Sequence, residues 1–237
     1  MIRAHLATFP PRRRILRRVV DAILPQVDHL FVVLNGYDEV PGYLRKDGRV
    51  TAVIPDRDVK DAGKFWFEPA PDDIVFTIDD DIGYPADYVQ RTIAQADALG
   101  WEGNVFGYHG NALSDRGWVN FLFHQPLERA TGVSLIGTGT MCAKGAAIPS
   151  LSEIEPHAGA CDFAFGSWLN RQGILPWALP RAENWLTNEL PHNLWKSSLF
   201  VTVHRKSDPA HQALLRTFTA RWPHANRSFD DYRQAAV

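Results

Sequence analysis

Apolar runs and polar turns alternate in a regular order along the first part of the chain. Ile2–Thr8 is a short apolar stretch closed by Phe9-Pro10-Pro11, which predicts a strand ending in a stiff loop. Apolar residues at 15, 16, 19, 20, 23 and 24 follow a helical period, and Pro25 ends it. His29–Leu34 is continuously apolar, as a strand covered on both faces should be, and Asn35-Gly36-Tyr37-Asp38 supplies turn chemistry after it. Val50–Ile54 and Ile74–Ile78 predict a third and a fourth strand. Tyr84–Leu99 predicts a helix entered at Pro85 and left at Gly100.

Strands and helices in alternation predict an α/β fold, with a mostly parallel central sheet flanked by helices. Ligands in such sheets bind at the carboxyl ends of strands, so Thr8, Asn35, Asp56 and Asp79–Asp81 are expected along one edge. The pattern is less regular further on. Asn104–Tyr108 and Val133–Ile136 predict short strands, and Gly137-Thr138-Gly139-Thr140 a small-residue turn. Phe163–Gln172 predicts a helix with Asp162 near its start. Pro176–Leu194 predicts loop, Leu199–Val203 a late strand and Ala210–Trp222 a last helix. No repeat, low-complexity tract or linker interrupts the chain. The expectation is a single domain over 1–237.

Composition narrows the setting. The 237 residues are 45% apolar and 22% charged, which allows one sizeable core. A net charge of −2 gives no bulk electrostatic case for nucleic acid. Cys142 and Cys161 form no disulfide framework and lack metal-site spacing, so a reducing cytoplasm is the simplest setting. No stretch reads as a signal peptide or a transmembrane helix. The basic run Arg12–Arg18 reads either as the solvated face of the first helix or as a contact for a phosphorylated substrate or anionic lipid, the latter at the inner face of a membrane.

The run Ile74–Ile78 ends in three consecutive carboxylates, Asp79-Asp80-Asp81. Adjacent carboxylates repel, and such a cluster is stable where a cation or hydrogen-bond donors compensate it. In an extended chain Asp79 and Asp81 point one way and Asp80 the other. Oxygen ligands of this kind suit Mg²⁺ or Mn²⁺, which take a few carboxylates plus water and phosphate.

These motifs together resemble a GT-A fold glycosyltransferase of the family 2 type. The resemblance rests on Ala7-Thr8-Phe9-Pro10 with Arg12, Leu34-Asn35-Gly36-Tyr37-Asp38, Asp61-Ala62-Gly63-Lys64, Thr77-Ile78-Asp79-Asp80-Asp81, Gly137-Thr138-Gly139-Thr140 and Cys161-Asp162-Phe163, and it covers roughly residues 2–190. It departs from the family at Asn35, where an acidic pair is usual, and at Cys161-Asp162, where Glu-Asp is usual. The resemblance implies a nucleotide-sugar donor, with a UDP-sugar favoured, and a glycan or lipid-linked saccharide acceptor, with a donor-binding half at about 1–100 and an acceptor-side half at about 101–237. It implies Mn²⁺ or Mg²⁺ held by Asp81 and Asp79, with His204 as a further ligand and His192 second to it. Thr8, Phe9, Arg12, Asn35, Asp56, Lys64, Asp79 and Asp80 would hold the donor. Gly139, Thr140 and Trp185 would face the sugar or acceptor. Asp162 would be the general base of an inverting transfer, taking the proton of the acceptor hydroxyl.

Structural readings stand beside these roles. Asp162 is also a good helix N-cap, Lys64 suits a surface turn, Asp56 a strand-end turn, and Trp185 core packing. Two other functions compete. A nucleotidyltransferase would carry a Gly-rich loop after the first strand, and the Thr-Phe-Pro-Pro-Arg loop here has no glycine. A non-catalytic glycan-binding protein on the same fold would not need the acidic triplet and Asp162.

Overall fold

A computed structural model describes residues 1–114, 117–198, 201, 213 and 227–235 of the chain. The first half follows the predicted order: β1 (Ile2–Thr8), α1 (Arg13–Ile23), β2 (His29–Leu34), β3 (Val50–Val53), β4 (Ile74–Ile78), a short β5 (Ile82–Gly83) and α2 (Tyr88–Leu99). The second half adds β6 (Asn104–Gly107), a hairpin of β7 (Gly110–Ser114) and β8 (Gly117–Phe121), β9 (Thr131–Gly132), β10 (Leu135–Ile136) and β11 (Thr140–Lys144). It continues with α3 (Leu151–Ile154), α4 (Cys161–Gln172), β12 (Leu175–Ala178), β13 (Thr187–Asn188) and α5 (Phe229–Ala235).

Among the described residues the central sheet has eight strands in the order β3-β2-β1-β4-β11-β6-β12-β9. β1 pairs in parallel with β2 and β4, β2 with β3, and β6 with β12. β11 enters antiparallel between β4 and β6, with Thr140 opposite Ile78. The amino end of β11 therefore meets the carboxyl ends of β1, β2 and β4 on one edge.

Period-two alternation divides the strands between two cores. Leu6, Phe76, Ile78, Phe106, Cys142 and Trp177 pack with α1 and α2 on one face. Val105, Met141, Ala143 and Ala178 pack with α3 and α4 on the other. α1 buries Ile15, Leu16, Val19, Val20 and Ile23, and leaves Arg13, Arg14, Arg17 and Arg18 exposed. The basic run is thus the outer face of an amphipathic helix. Arg12 is the exception and lies buried.

Four expectations change. α2 starts at Tyr88, after a turn in which the Tyr88 N–H bonds the Pro85 carbonyl. The small-residue turn at 137–140 leads straight into β11, a strand the sequence pattern does not mark. The expected loop at 176–194 begins inside β12, because Pro176 is accommodated in the strand. The late strand at 199–203 is described only at Val201, which is helical. The rest of that strand, His204 and, Ala213 apart, the helix at 210–222 lie outside the described residues. Among the described residues no helix is long and apolar enough to cross a membrane.

Candidate active site

Each carboxylate of the acidic triplet has its own partner, two of them from the end of β1 and the turn after it and one from the segment between β3 and β4. Asp79 accepts a hydrogen bond from Lys64 Nζ. Asp80, in the turn that follows β4, accepts the hydroxyl of Thr8 at 2.6 Å. Asp81 accepts Arg12 Nη1 at 2.9 Å. Burial, reinforced by the charge of Asp81, pushes the Asp80 carboxyl up to about 7. Burial and then the charge of Asp79 raise Asp81, against Arg12 and Lys64, which lower it. Lys64 is buried, and burial opposes its charge, but Asp79, Asp162 and Asp61 together raise it above the ordinary lysine value. It is not a surface lysine.

The side chains of Asp79 and Asp81 keep 38% and 23% of their surface exposed. Each spends one oxygen on a protein cation, and its second oxygen has no hydrogen bond among the described residues. No three His, Cys, Asp or Glu side chains converge as a metal cage among the described residues. The donor set fits a hard divalent ion that takes two protein oxygens and completes its shell with phosphate and water, and does not fit an all-protein cage.

Every residue of the loop 137–140 has a local task. A Cβ on Gly137 would lie 2.9 Å from Cδ2 of His109. A Cβ on Gly139 would lie 2.1 Å from Oδ2 of Asp79, so only glycine lets that carboxylate cross the loop. Thr140 Oγ1 accepts the N–H groups of Tyr108 at 3.1 Å and His109 at 3.0 Å. Thr138 donates both its N–H, at 2.8 Å, and its hydroxyl, at 2.7 Å, to Oδ1 of Asp162. The same hydroxyl lies 3.3 Å from Lys64 Nζ. Asp162, Thr138, Lys64 and Asp79 form one chain of contacts.

Asp162 is not the cap of α4. That role belongs to Asp61, whose carboxylate accepts the N–H of Gly159 at 2.5 Å and of Cys161 at 3.2 Å. The capping alternative is therefore overturned, and Asp162 Oδ2 makes no hydrogen bond among the described residues. Asp61 is half-buried, and desolvation raises its carboxyl against the pull of Lys64. His5 holds the segment from behind. Arg3 Nε donates to His5 Nε2 at 2.8 Å, which leaves the proton on Nδ1 to donate to the Lys64 carbonyl at 2.8 Å. Burial, with the Arg3 charge, lowers His5 to about 3, so the ring stays neutral.

Several expected residues do other work. Asn35 spends its amide on the backbone, with Nδ2 on the Lys60 carbonyl at 3.0 Å and Oδ1 on the Val59 N–H at 3.0 Å. It anchors the loop that carries Lys64. Thr140 is fully buried in its bonds to the end of β6, which takes it away from an acceptor. Trp185 packs against Tyr108 at 4.9 Å and Tyr88 at 6.0 Å, with the Arg91 guanidinium 4.9 Å from its ring. Those partners leave it a packing residue. Asp56 is exposed and pairs with Arg57 at 2.9 Å, outside the bonded network. Phe9 contributes its carbonyl to the Arg12 N–H at 2.9 Å, and its ring lies 5.7 Å from the Arg12 guanidinium. His192 is exposed and joins no cluster of potential ligands among the described residues.

Sequence reasoning missed Asp61, Tyr84 and His109. The Tyr84 hydroxyl accepts the Asp79 N–H at 2.9 Å and donates to the Gly139 carbonyl at 2.6 Å. Asp61 sits in the same short motif as Lys64, and His109 directly follows β6; those positions were the available signals.

No protein-family model matches the chain. An undecaprenyl-phosphate 4-deoxy-4-formamido-L-arabinose transferase of Pseudomonas fluorescens is 31% identical over 140 residues, which are 53% of this chain and 40% of that protein. The chain thus spans less than half of that relative's length. Glucosyl-3-phosphoglycerate synthase of Mycobacterium tuberculosis, solved with Mn²⁺, UDP and phosphoglyceric acid, superimposes with a TM-score of 0.52 at 16% identity, over 93% of this chain and 79% of that one. A 4-diphosphocytidyl-2C-methyl-D-erythritol synthase gives 0.47 at 13% identity, over 92% and 98%. The architecture of the chain, a mostly parallel sheet between helices with the acidic triplet at its carboxyl edge, is the GT-A fold.

Proposed function

We propose that the chain is a metal-dependent, inverting glycosyltransferase. It moves a sugar from a nucleotide-sugar donor to a hydroxyl acceptor in glycan or surface-polysaccharide synthesis. The observation that carries this reading is the chain of contacts from Asp162 through Thr138 and Lys64 to Asp79. It sets an open carboxylate oxygen beside a cation, and the cation beside a partly exposed acidic pair.

Asp162 acts on the acceptor. Its Oδ1 is pinned by Thr138, and its Oδ2 takes the proton as the acceptor oxygen attacks the anomeric carbon. The bond from that carbon to the diphosphate oxygen breaks, and the nucleoside diphosphate leaves. Lys64 and Arg12 lie at the carboxylates on the leaving-group side and hold positive charge where negative charge develops. Asp79 and Asp81 would hold Mn²⁺ or Mg²⁺, which supplies further neutralisation of the leaving diphosphate. Thr8, at the end of β1, and Phe9 and Arg12, on the loop after it, would face the nucleoside.

A UDP-sugar donor is supported by the UDP held in the solved synthase of the same fold, and a lipid-linked acceptor by the undecaprenyl-phosphate named for the P. fluorescens relative. The exposed arginines of α1 would place such an enzyme against anionic lipid at the inner face of a membrane. Thermal unfolding with UDP, GDP, CDP and CMP, each with and without Mn²⁺, tests the reading. A ligand that binds the folded state raises the melting temperature. One diphosphate should do so only with the metal, and no shift with any of them contradicts the proposal.

A further inference from the structure

His109 borders the loop 137–140 that carries Thr138, and the proposed function gives it no task. It follows β6, and its backbone is held twice, by its N–H on Thr140 Oγ1 at 3.0 Å and by its carbonyl under the Gly137 N–H at 2.8 Å. Its ring lies against Gly137, where a Cβ would meet Cδ2 at 2.9 Å, and 6.0 Å from the Phe123 ring. The next residue along that loop, Thr138, carries Asp162. The carboxylates whose charges act on the imidazole are Asp162 and Asp79, on the acceptor and the diphosphate side respectively. Burial nevertheless holds the ring below its ordinary value, so it is neutral at pH 7, with one N–H and one lone pair.

Its Nδ1 is buried and has no hydrogen-bond partner among the described residues. A buried polar nitrogen left unpaired costs free energy, and such a group is accounted for where a ligand completes it. What lies between a base for the acceptor hydroxyl and the carboxylates at the diphosphate is the sugar being transferred. A neutral imidazole can give or accept one hydrogen bond at each nitrogen, and a sugar hydroxyl can do both.

We infer that His109 contacts a hydroxyl of the donor sugar and selects donors that carry that hydroxyl. The inference rests on the proposed transferase reading. It identifies His109 as a specificity-determining residue: a donor lacking that hydroxyl would leave a buried nitrogen unpaired, a loss a site built for a hydroxyl does not tolerate.

The test compares wild type, His109→Phe and His109→Gln by titration calorimetry with Mn²⁺. The probes are UDP and a panel of UDP-hexoses with their deoxy analogues, and thermal unfolding is followed in parallel. In wild type at least one UDP-hexose should bind more tightly than UDP. His109→Phe should bind UDP as wild type does and lose about ten-fold of the sugar's added affinity, while His109→Gln, which retains a donor and an acceptor, should keep part of it. An undiminished sugar increment in His109→Phe overturns the inference and leaves the transferase reading standing. So does a wild type that shows no increment with any sugar, or an equal loss of UDP affinity in both variants, which would make the ring a structural support. Failure of UDP, GDP and CDP alike to bind wild type overturns the transferase reading, and this inference with it.

Discussion

Thr138 grips one oxygen of Asp162 twice, through its N–H at 2.8 Å and its hydroxyl at 2.7 Å. Two donors on Oδ1 fix the carboxylate plane and leave Oδ2 to face whatever enters. A general base needs that combination of held orientation and open lone pair. Asp162→Asn keeps the shape and removes the base. Turnover should fall by ~10²–10⁴-fold with donor affinity nearly unchanged. Steady-state kinetics alongside donor titration checks this, and a parallel loss of donor affinity would point to a structural residue.

Thr138→Val removes the hydroxyl but keeps the backbone N–H. Asp162 then has one tether, and Lys64 loses its contact with the loop. Turnover should drop about five-fold, in line with roughly 1 kcal/mol for one hydrogen bond. The melting temperature should move little. A variant with unchanged turnover would remove the hydroxyl from the account of the base.

Gly139→Ala places a methyl where Asp79 Oδ2 now lies, at 2.1 Å from the ideal Cβ. Asp79 must shift, and its pairing with Lys64 goes with it. Metal-dependent activity should fall at least ten-fold while the circular dichroism spectrum stays native, because Tyr84 bonds only the loop's backbone carbonyl. Full activity in the alanine variant would show that Asp79 does not need to cross the loop.

Asp61 caps α4 and draws its amino end toward the Lys64 segment. Asp61→Ala leaves the N–H groups of Gly159 and Cys161 without that acceptor. Unfolding in urea should show a loss of about 1–2 kcal/mol. The variant should also lose turnover, since Asp162 rides on the same helix end; stability lost without any change in turnover would separate the two.

His5 makes part of the stability pH-dependent. Its folded value, about 3, lies below the unfolded value of 6.5. Below pH 6.5 the unfolded chain takes a proton that the folded ring refuses, so this contribution is full above 6.5 and is lost as pH falls toward 3. Asp80, pushed up to about 7, works in the opposite direction over part of that range. The His5 effect is therefore read as the difference between wild type and His5→Gln, measured by urea unfolding at pH 7.5 and 5. Wild type should lose about 2 kcal/mol more than the variant over that interval. Parallel pH profiles would contradict a neutral buried His5.

Some of this was legible in residues and some was not. Ile74–Ile78 announced its strand as an apolar, β-branched run, but the period of two stops with it: Asp80 and Asp81 lie in the turn beyond β4, and the triplet is divided by its partners Lys64, Thr8 and Arg12. The helical stripe 15–24 named the buried face of α1. β11 was hidden because Gly137–Thr140 looks like a turn and no local pattern marks an antiparallel strand inserted between β4 and β6. Pro176 masked β12, since proline usually argues against an interior strand. Trp185 and Asn35 were misplaced for a common reason. A sugar-stacking indole and a core indole have the same sequence, and an amide facing a ligand cannot be told from one bonded to Lys60 and Val59 until the loop is folded. Arg12 and Lys64 were each visible as cations, but their division of the triplet depends on strand order, which periodicity does not supply.

The central claim is a nucleotide-diphosphate site built on Asp79 and Asp81. Calorimetric titration of UDP with Mn²⁺ into wild type and into Asp81→Asn tests it most directly. The account predicts saturable binding to wild type that disappears when EDTA replaces the metal, and at least a ten-fold weaker affinity in a folded Asp81→Asn variant. UDP binding of equal strength with and without metal, or unchanged by Asp81→Asn, would contradict it.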